Sequence, residues 1–379
     1  MARFSVHYFL LFTAMAMVYP YFQLFLRARG FSRAEVGYLQ GVLALAGICG
    51  PLLIGHLADR TGRRRAFVAL CLVAYALLLL PLNVTSTFWP AAAFVAGIGF
   101  AVRTTIPLTD TLAAGELTDP IHQYGRVRVW GSIGFVVTLL GVRALGLVNE
   151  QSSASMTAGM LVTAGACVVS ALCLRERRAA EHGREVPAGP SAAFDSVFWL
   201  FVLATGLQQW GMAAYYSFFT IYLHDALGMQ KAAWVWAVGS AAEIPLLFYG
   251  GRIIRRFGLT AMLASSMVAA SVRLCIVALL PTLWVILPSQ LLHALTFGVF
   301  HAASIEFLRR KVPAARRGTA MALYMSLALA LPAWIGSSLG GVVIERWGYP
   351  VLYLSYAVPP LVGVVLLAVS GRSLNVKAQ

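Results

Sequence analysis

The chain has 379 residues, 60% of them hydrophobic and 11% charged, and its 29 Lys+Arg against 14 Asp+Glu give a formal net charge of +15. A soluble domain carries about 25% charged residues, so this chain has too little polar surface for a water-facing globule, and lipid is the solvent it fits. A nucleic-acid-binding role is excluded on the same ground, because it needs Lys and Arg on a broad aqueous face.

A helix needs about 20 mainly apolar residues to cross a hydrocarbon core of about 30 Å. Twelve segments meet that requirement: 7–27, 36–58, 66–86, 90–113, 128–149, 155–174, 196–222, 232–251, 259–280, 284–307, 318–341 and 350–370. The first follows Arg3 and contains Pro20, with no short apolar core before a small-residue cleavage site, so it reads as a retained span. Pro20 removes a helical hydrogen bond and predicts a kink there. The runs are about twice the length of the alternating strands of an outer-membrane barrel. The fold class is therefore an all-α polytopic membrane protein.

The longest polar interruption, 175–195, divides a first bundle (1–174) from a second (196–379) as a central loop. A repeat supports the division. Gly55-His-Leu-Ala-Asp-Arg-Thr-Gly62 follows the second span and Gly251-Arg-Ile-Ile-Arg-Arg-Phe-Gly258 follows the eighth. Lys and Arg mark the cytoplasmic side of short loops. With both termini inside, the inside segments hold 21 of the 29 basic residues, among them Arg60, Arg63, Arg64, Arg65, Arg126, Arg128 and the Arg309–Arg317 cluster. Six lie outside, and Arg103 and Arg273 remain within spans. Both termini are expected in the cytoplasm. The five cysteines lie in apolar stretches with no C-x-x-C pair and read as buried free thiols, with no metal site.

The loop Gly55-His-Leu-Ala-Asp59-Arg60-Thr-Gly62-Arg63-Arg-Arg65 resembles the signature loop between helices 2 and 3 of the major facilitator superfamily. In this reading Gly55 lets helices approach closely, Asp59 meets helix ends or arginines across the interface between halves, and the basic run anchors to the cytoplasmic leaflet. The second copy has Arg255 where the first has Asp59, so the charge lock belongs to the first copy. Pro107-Leu-Thr-Asp110, Tyr124-Gly-Arg-Val-Arg-Val-Trp130, Ala213-Ala-Tyr215-Tyr216 and Gln290-Leu-Leu-His293 narrow the resemblance to the branch holding the 3-phenylpropionate transporters, near the lactose permease and the nucleoside/proton symporters. The resemblance implies a twelve-helix major facilitator fold working by alternating access, with proton-coupled uptake powered by the proton gradient and no cofactor. A bacterial inner membrane, a monomer and a small-molecule substrate go with that reading.

Ionisable residues inside spans cost roughly 2.5–3.5 kcal/mol on insertion scales and face a cavity or each other. At 1.5 Å per residue from the outer end of each span, Glu243 lies roughly 16 Å deep, Arg273 roughly 10 Å, His293 roughly 14 Å and Arg103 roughly 20 Å. Glu243 is the expected proton carrier, with a fixed Glu243–Arg273 ion pair as the plain alternative. His293 is a relay, a substrate contact or a packing histidine. Asp110, roughly 30 Å from the outer end of its span, suits a gate, a coupling role or an interfacial cap. Arg103 and Arg273 are expected to receive a substrate anion. Tyr21, Tyr215, Tyr216 and Gln209 suit a cavity for a ring-shaped solute, with packing against lipid or neighbouring helices as the alternative.

The small-residue pairs Gly37/Gly41 and Gly336/Gly340 permit close helix packing. No Walker motif is possible, since Lys231, Lys311 and Lys377 follow Gln230, Arg310 and Val376 rather than Gly. An enzyme is not indicated. The leading expectation is proton-coupled uptake of a small aromatic carboxylate, with a nucleoside or sugar symporter as the near alternative. An efflux antiporter or a non-transporting membrane sensor stands further off.

Overall fold

The computed structural model describes residues 1–116, 120–176, 194–313 and 316–369; side chains are not described for residues 120–122, 247, 248, 250–252, 254 and 255. Most of the central loop and the carboxyl-terminal tail therefore lie outside the described residues, as does the side chain of Arg255. Among the described residues, ten helices are long and apolar enough to cross a membrane. One of them, Arg317–Val369, is two spans joined at Gly348, whose φ of 80° interrupts the helix. The shorter apolar helix beginning at Val235 completes twelve among the described residues.

In chain order these are α1 (Ala2–Ala28), α2 (Arg33–Thr61), α3 (Arg64–Val84), α4 (Phe88–Glu116), α5 (Pro120–Leu145) and α6 (Ser153–Leu172). Then come α7 (Ser196–Asp225), α8 (Val235–Phe257), α9 (Leu259–Leu279), α10 (Leu283–Lys311), α11 (317–347) and α12 (349–369). The break expected at Pro20 is present, dividing α1 into Ala2–Val18 and Tyr21–Ala28. Helix α5 begins well before the expected residue 128, so Arg126 and Arg128 lie on its first turns rather than in a loop.

An even number of crossings puts both termini on one face. The first six helices pack on one another, as do the last six, and α2 meets α11 while α5 meets α8. Glycine makes the α2–α11 contact possible. A Cβ on Gly37 would stand 2.4 Å from the Ser337 carbonyl, and one on Gly341 would stand 2.3 Å from the Arg33 carbonyl. Gly336, by contrast, packs on Ala213 and Trp210 within the last six helices.

The apolar core shows which face is sealed. One cluster runs from the first six helices into Met212–Leu223 of α7, the start of α8 and Tyr353 of α12, all toward the face away from the termini. A second cluster, around Phe198, Phe201, Phe307 and Tyr324, is confined to the termini end of the last six helices. The halves share a core at one face and keep separate cores toward the other.

Two details of the signature loop correct the sequence reading. Gly62 has φ 63° and caps α2, which is where its lack of a Cβ is used. A Cβ on Gly55 would meet nothing within 4 Å, so no close helix approach occurs there. Asp59 is exposed and pairs with Arg64 of its own loop at 2.7 Å, not with the other half, while Arg60 and Arg63 are exposed beside it. The cysteines are all free, but Cys49 and Cys173 are exposed rather than buried.

Candidate functional site

The site is built around Arg273. Its helix, α9, turns Ser266, Ala270, Arg273 and Val277 into the protein, and Arg273 is 0% exposed. A buried guanidinium calls for partners to its donors, and here the two terminal nitrogens find them while Nε does not. Nη1 donates to His293 Nδ1 at 3.1 Å and to Thr296 Oγ1 at 3.4 Å, and Nη2 donates to Gln290 Oε1. Tyr215 donates its hydroxyl to the same Gln290 oxygen at 2.9 Å, and its ring lies 3.8 Å beneath the guanidinium carbon. That stack is a cation–π contact in a desolvated setting, worth about 2 kcal/mol.

The grip on Arg273 depends on irregular winding in α10. Pro288 withdraws one backbone N–H, and the chain then runs as a 3₁₀ turn over Gln290–Leu292 and a π-helix over Ala294–Val299. In a 3₁₀ turn residues three apart eclipse one another. Gln290, His293 and Thr296 are spaced by three and meet the guanidinium together. Gln290 and Thr296 were not among the residues expected from sequence, because a regular helix would not align all three.

His293 then links Arg273 to Glu243. Its Nε2 lies 2.7 Å from Glu243 Oε1. Arginine only donates, so Nδ1 must accept and the ring proton sits on Nε2, donated to the carboxylate. A second ring proton would point at the Arg273 N–H. The network is therefore a guanidinium, a neutral imidazole and a carboxylate in series, not the direct Glu243–Arg273 pair that sequence left open. Gly239 makes room, since a Cβ there would lie 3.1–3.3 Å from His293 atoms. Glu243 and His293 keep 8% and 9% exposure, whereas Arg273 has none.

Arg273→Lys keeps the charge but lacks a planar fork that can reach His293, Thr296 and Gln290 at once. Each hydrogen bond to a charged group is worth about 1.5–3 kcal/mol. The expected outcome is a lower unfolding midpoint in detergent. An unchanged midpoint would show that the fork contributes nothing.

The other expected residues divide. Tyr216 packs on Tyr215 and Trp236, while Tyr21 is buried on the second part of α1. Gln209 is half-buried without a described hydrogen bond; its neighbour Gln208 is the engaged one, donating to Ser266 Oγ at 2.7 Å and the Thr296 carbonyl at 3.2 Å. Arg103 is exposed on α4, with its side chain along Gly47 of α2, and does not join Arg273. Asp110 accepts from Tyr8 at 2.5 Å, with Tyr124 and Arg128 beside it, so it belongs to a cluster within the first six helices. Next to that cluster His7, unremarked in the sequence, is buried between Ser170 at 2.8 Å and Thr109 at 3.3 Å.

Polar contacts between the halves gather at the face away from the termini. Arg33 pairs with Asp225 at 2.7 Å, Tyr349 donates to the same carboxylate at 2.7 Å, and the Ala34 N–H donates to Glu345 at 2.9 Å. Gln23 reaches into α7, donating to the Tyr216 carbonyl at 3.3 Å and accepting from the Thr220 N–H at 3.1 Å. Glu150 sits at the start of α8, accepting from the Ala232 and Ala233 N–H groups at 2.8 and 3.1 Å, with His224 Nε2 2.6 Å away. An acid in the short loop after α5 was the available signal for Glu150; what it reaches lies 74 or more residues along the chain.

Comparison with known proteins agrees with this architecture. The family model described as the MFS_1 like family matches residues 1–354. Maltose permease of Geobacillus stearothermophilus is 25% identical, over 96% of this chain and 93% of its own. The probable 3-phenylpropionic acid transporter of Escherichia coli is 27% identical, over 92% of this chain and 93% of its own. A crystal structure of the nucleoside transporter NupG matches with a TM-score of 0.81 and 19% identity, over 97% and 98% of the two chains, which is a likeness of fold.

Proposed function

Because the chain belongs to the MFS_1 like family of major facilitator transporters, we propose that it is a proton-coupled importer of a small organic carboxylate of the phenylpropionate kind. The observation that carries the coupling is the Arg273–His293–Glu243 series. It places one carboxylate, slightly accessible, at the end of a buried chain whose other members are committed by their hydrogen bonds. Protonating Glu243 removes its charge without breaking the series, since a carboxylic acid still offers an acceptor to Nε2–H. Arg273 then loses its counter-charge, and a bound carboxylate restores it. Substrate and proton favour each other.

The Lys and Arg bias supports a bacterial inner-membrane protein with both termini in the cytoplasm. The face sealed by Glu150, Gln23 and the Arg33–Asp225 pair is then the outer one, and the arrangement is inward-facing. Residues 1–174 and 196–379 act as two bundles that rock about the α2–α11 and α5–α8 contacts in a monomer. Arg103, exposed on α4, is the freer receiver for the anion; Arg273 acts from beneath. The phenylpropionate relative supports the carboxylate, and the maltose permease supports a sugar as the second reading.

The test is uptake of labelled 3-phenylpropionate into proteoliposomes under an inward proton gradient. Accumulation that collapses with a protonophore is expected. Accumulation of maltose or a nucleoside, with none of the carboxylate, would overturn the substrate assignment.

A further inference from the structure

Three rings on α10 lie parallel. His293 and Phe297 have centroids 5.5 Å apart and planes within 12°, and Phe297 and His301 follow at 6.1 Å and 7°. The four-residue steps form a staircase that starts at the buried coupling histidine and descends toward the termini face. Its lower two members are open, Phe297 at 40% exposure with His301 exposed beyond it.

That open stripe does not continue the lipid-facing side of α10. Trp284 and Leu291 mark that side on the upper part of the helix. At roughly 100° per residue, the six residues from Leu291 to Phe297 carry the chain to a different side, and the π-helix between them shifts it further. Phe297 instead shares the side of His293, which faces α8. His301 interacts electrostatically with Arg128 on α5, in the other half. A polar imidazole across from a cation of the opposite bundle, at the end where the halves keep separate cores, lines the space between them.

We propose that His293, Phe297 and His301 form a ring-stacking wall of the transport site, which selects solutes carrying a flat aromatic or heteroaromatic ring. Parallel rings accept a further planar ring in the offset arrangement that aromatic pairs favour. A saturated ring of the same size cannot lie flush on the staircase. The wall sits directly below the coupling histidine, so a ring stacked on Phe297 brings its substituents within reach of Glu243, His293 and Arg128. This rests on the transport reading above but does not require the carboxylate, because a nucleobase is also flat.

The experiment measures binding to the purified full chain by isothermal titration, using 3-phenylpropionate against 3-cyclohexylpropionate and uridine against 5,6-dihydrouridine. The planar member of whichever pair binds is expected to be favoured about three- to tenfold, the size of an aromatic pairing preference. Phe297→Leu, which keeps an apolar side chain of similar reach, is expected to bring the ratio to about one by weakening the planar ligand, whereas Phe297→Trp retains it. His301→Leu separates loss of the ring from loss of Phe297. Binding of uridine in place of the carboxylates would overturn the carboxylate assignment and leave the wall supported if the planar preference holds. Equal binding within the pairs, a ratio untouched by Phe297→Leu, or binding of maltose with neither planar ligand would overturn the wall.

Discussion

Glu243→Gln is expected to abolish proton-driven accumulation while leaving counterflow exchange intact. The amide keeps an oxygen for the His293 Nε2–H, so the 2.7 Å link survives in kind. What it cannot do is release or take a proton. A gradient of one pH unit is about 1.4 kcal/mol, which sustains about tenfold accumulation for one coupled proton. The variant should fall from that level to none. Exchange of labelled for unlabelled substrate needs only the movement between faces, and the variant resembles the protonated carrier in charge. Retained uphill transport would remove Glu243 from the role and turn attention to Asp110, whose carboxylate is held by Tyr8 within the first six helices.

That prediction was partly legible in the sequence. Composition and span length gave the class, and depth along each helix put Glu243, Arg273 and His293 near one another. Their order was not legible, because it depends on helix rotation and on the 3₁₀ and π turns of α10. A regular helix assumed through Gln290–Val299 would not align Gln290, His293 and Thr296, and it hides the fact that a neutral imidazole separates the two charges. The signature loop misled in a different way. Its spacing marked the family correctly, yet Asp59 pairs within its own loop in a structure closed at the opposite face. A lock that forms in one state of a two-state machine is invisible in the other. Glu150 was missed because sequence places it in a short loop, while its partners belong to the facing bundle.

Glu150→Gln is expected to open that sealed face. The carboxylate is 7% exposed and accepts two N–H bonds from Ala232 and Ala233, where the start of α8 carries the positive end of the helix dipole, and it meets His224 at 2.6 Å. The amide keeps one acceptor oxygen and presents an NH₂ to the other donor, so a charge-assisted contact becomes a repulsive one. Losing one bond of that kind costs about 1.5–3 kcal/mol, an equilibrium shift of about 10- to 150-fold toward the state open at that face. Spin labels at Ser86→Cys and Gln230→Cys, on a background with the native cysteines replaced, report it as a longer distance across the gap. Arg33→Ala serves as the contrast. That pair is partly exposed, with side-chain exposures of 35% and 27%, and exposed pairs are worth about 1 kcal/mol or less. If Arg33→Ala widened the gap as much as Glu150→Gln, closure would rest on the rim rather than on the buried carboxylate at the start of α8. The distinction matters for the proposed coupling, because α8 carries Glu243: releasing Glu150 frees the start of the helix that holds the proposed proton site, and the gate and the carrier then move as one body.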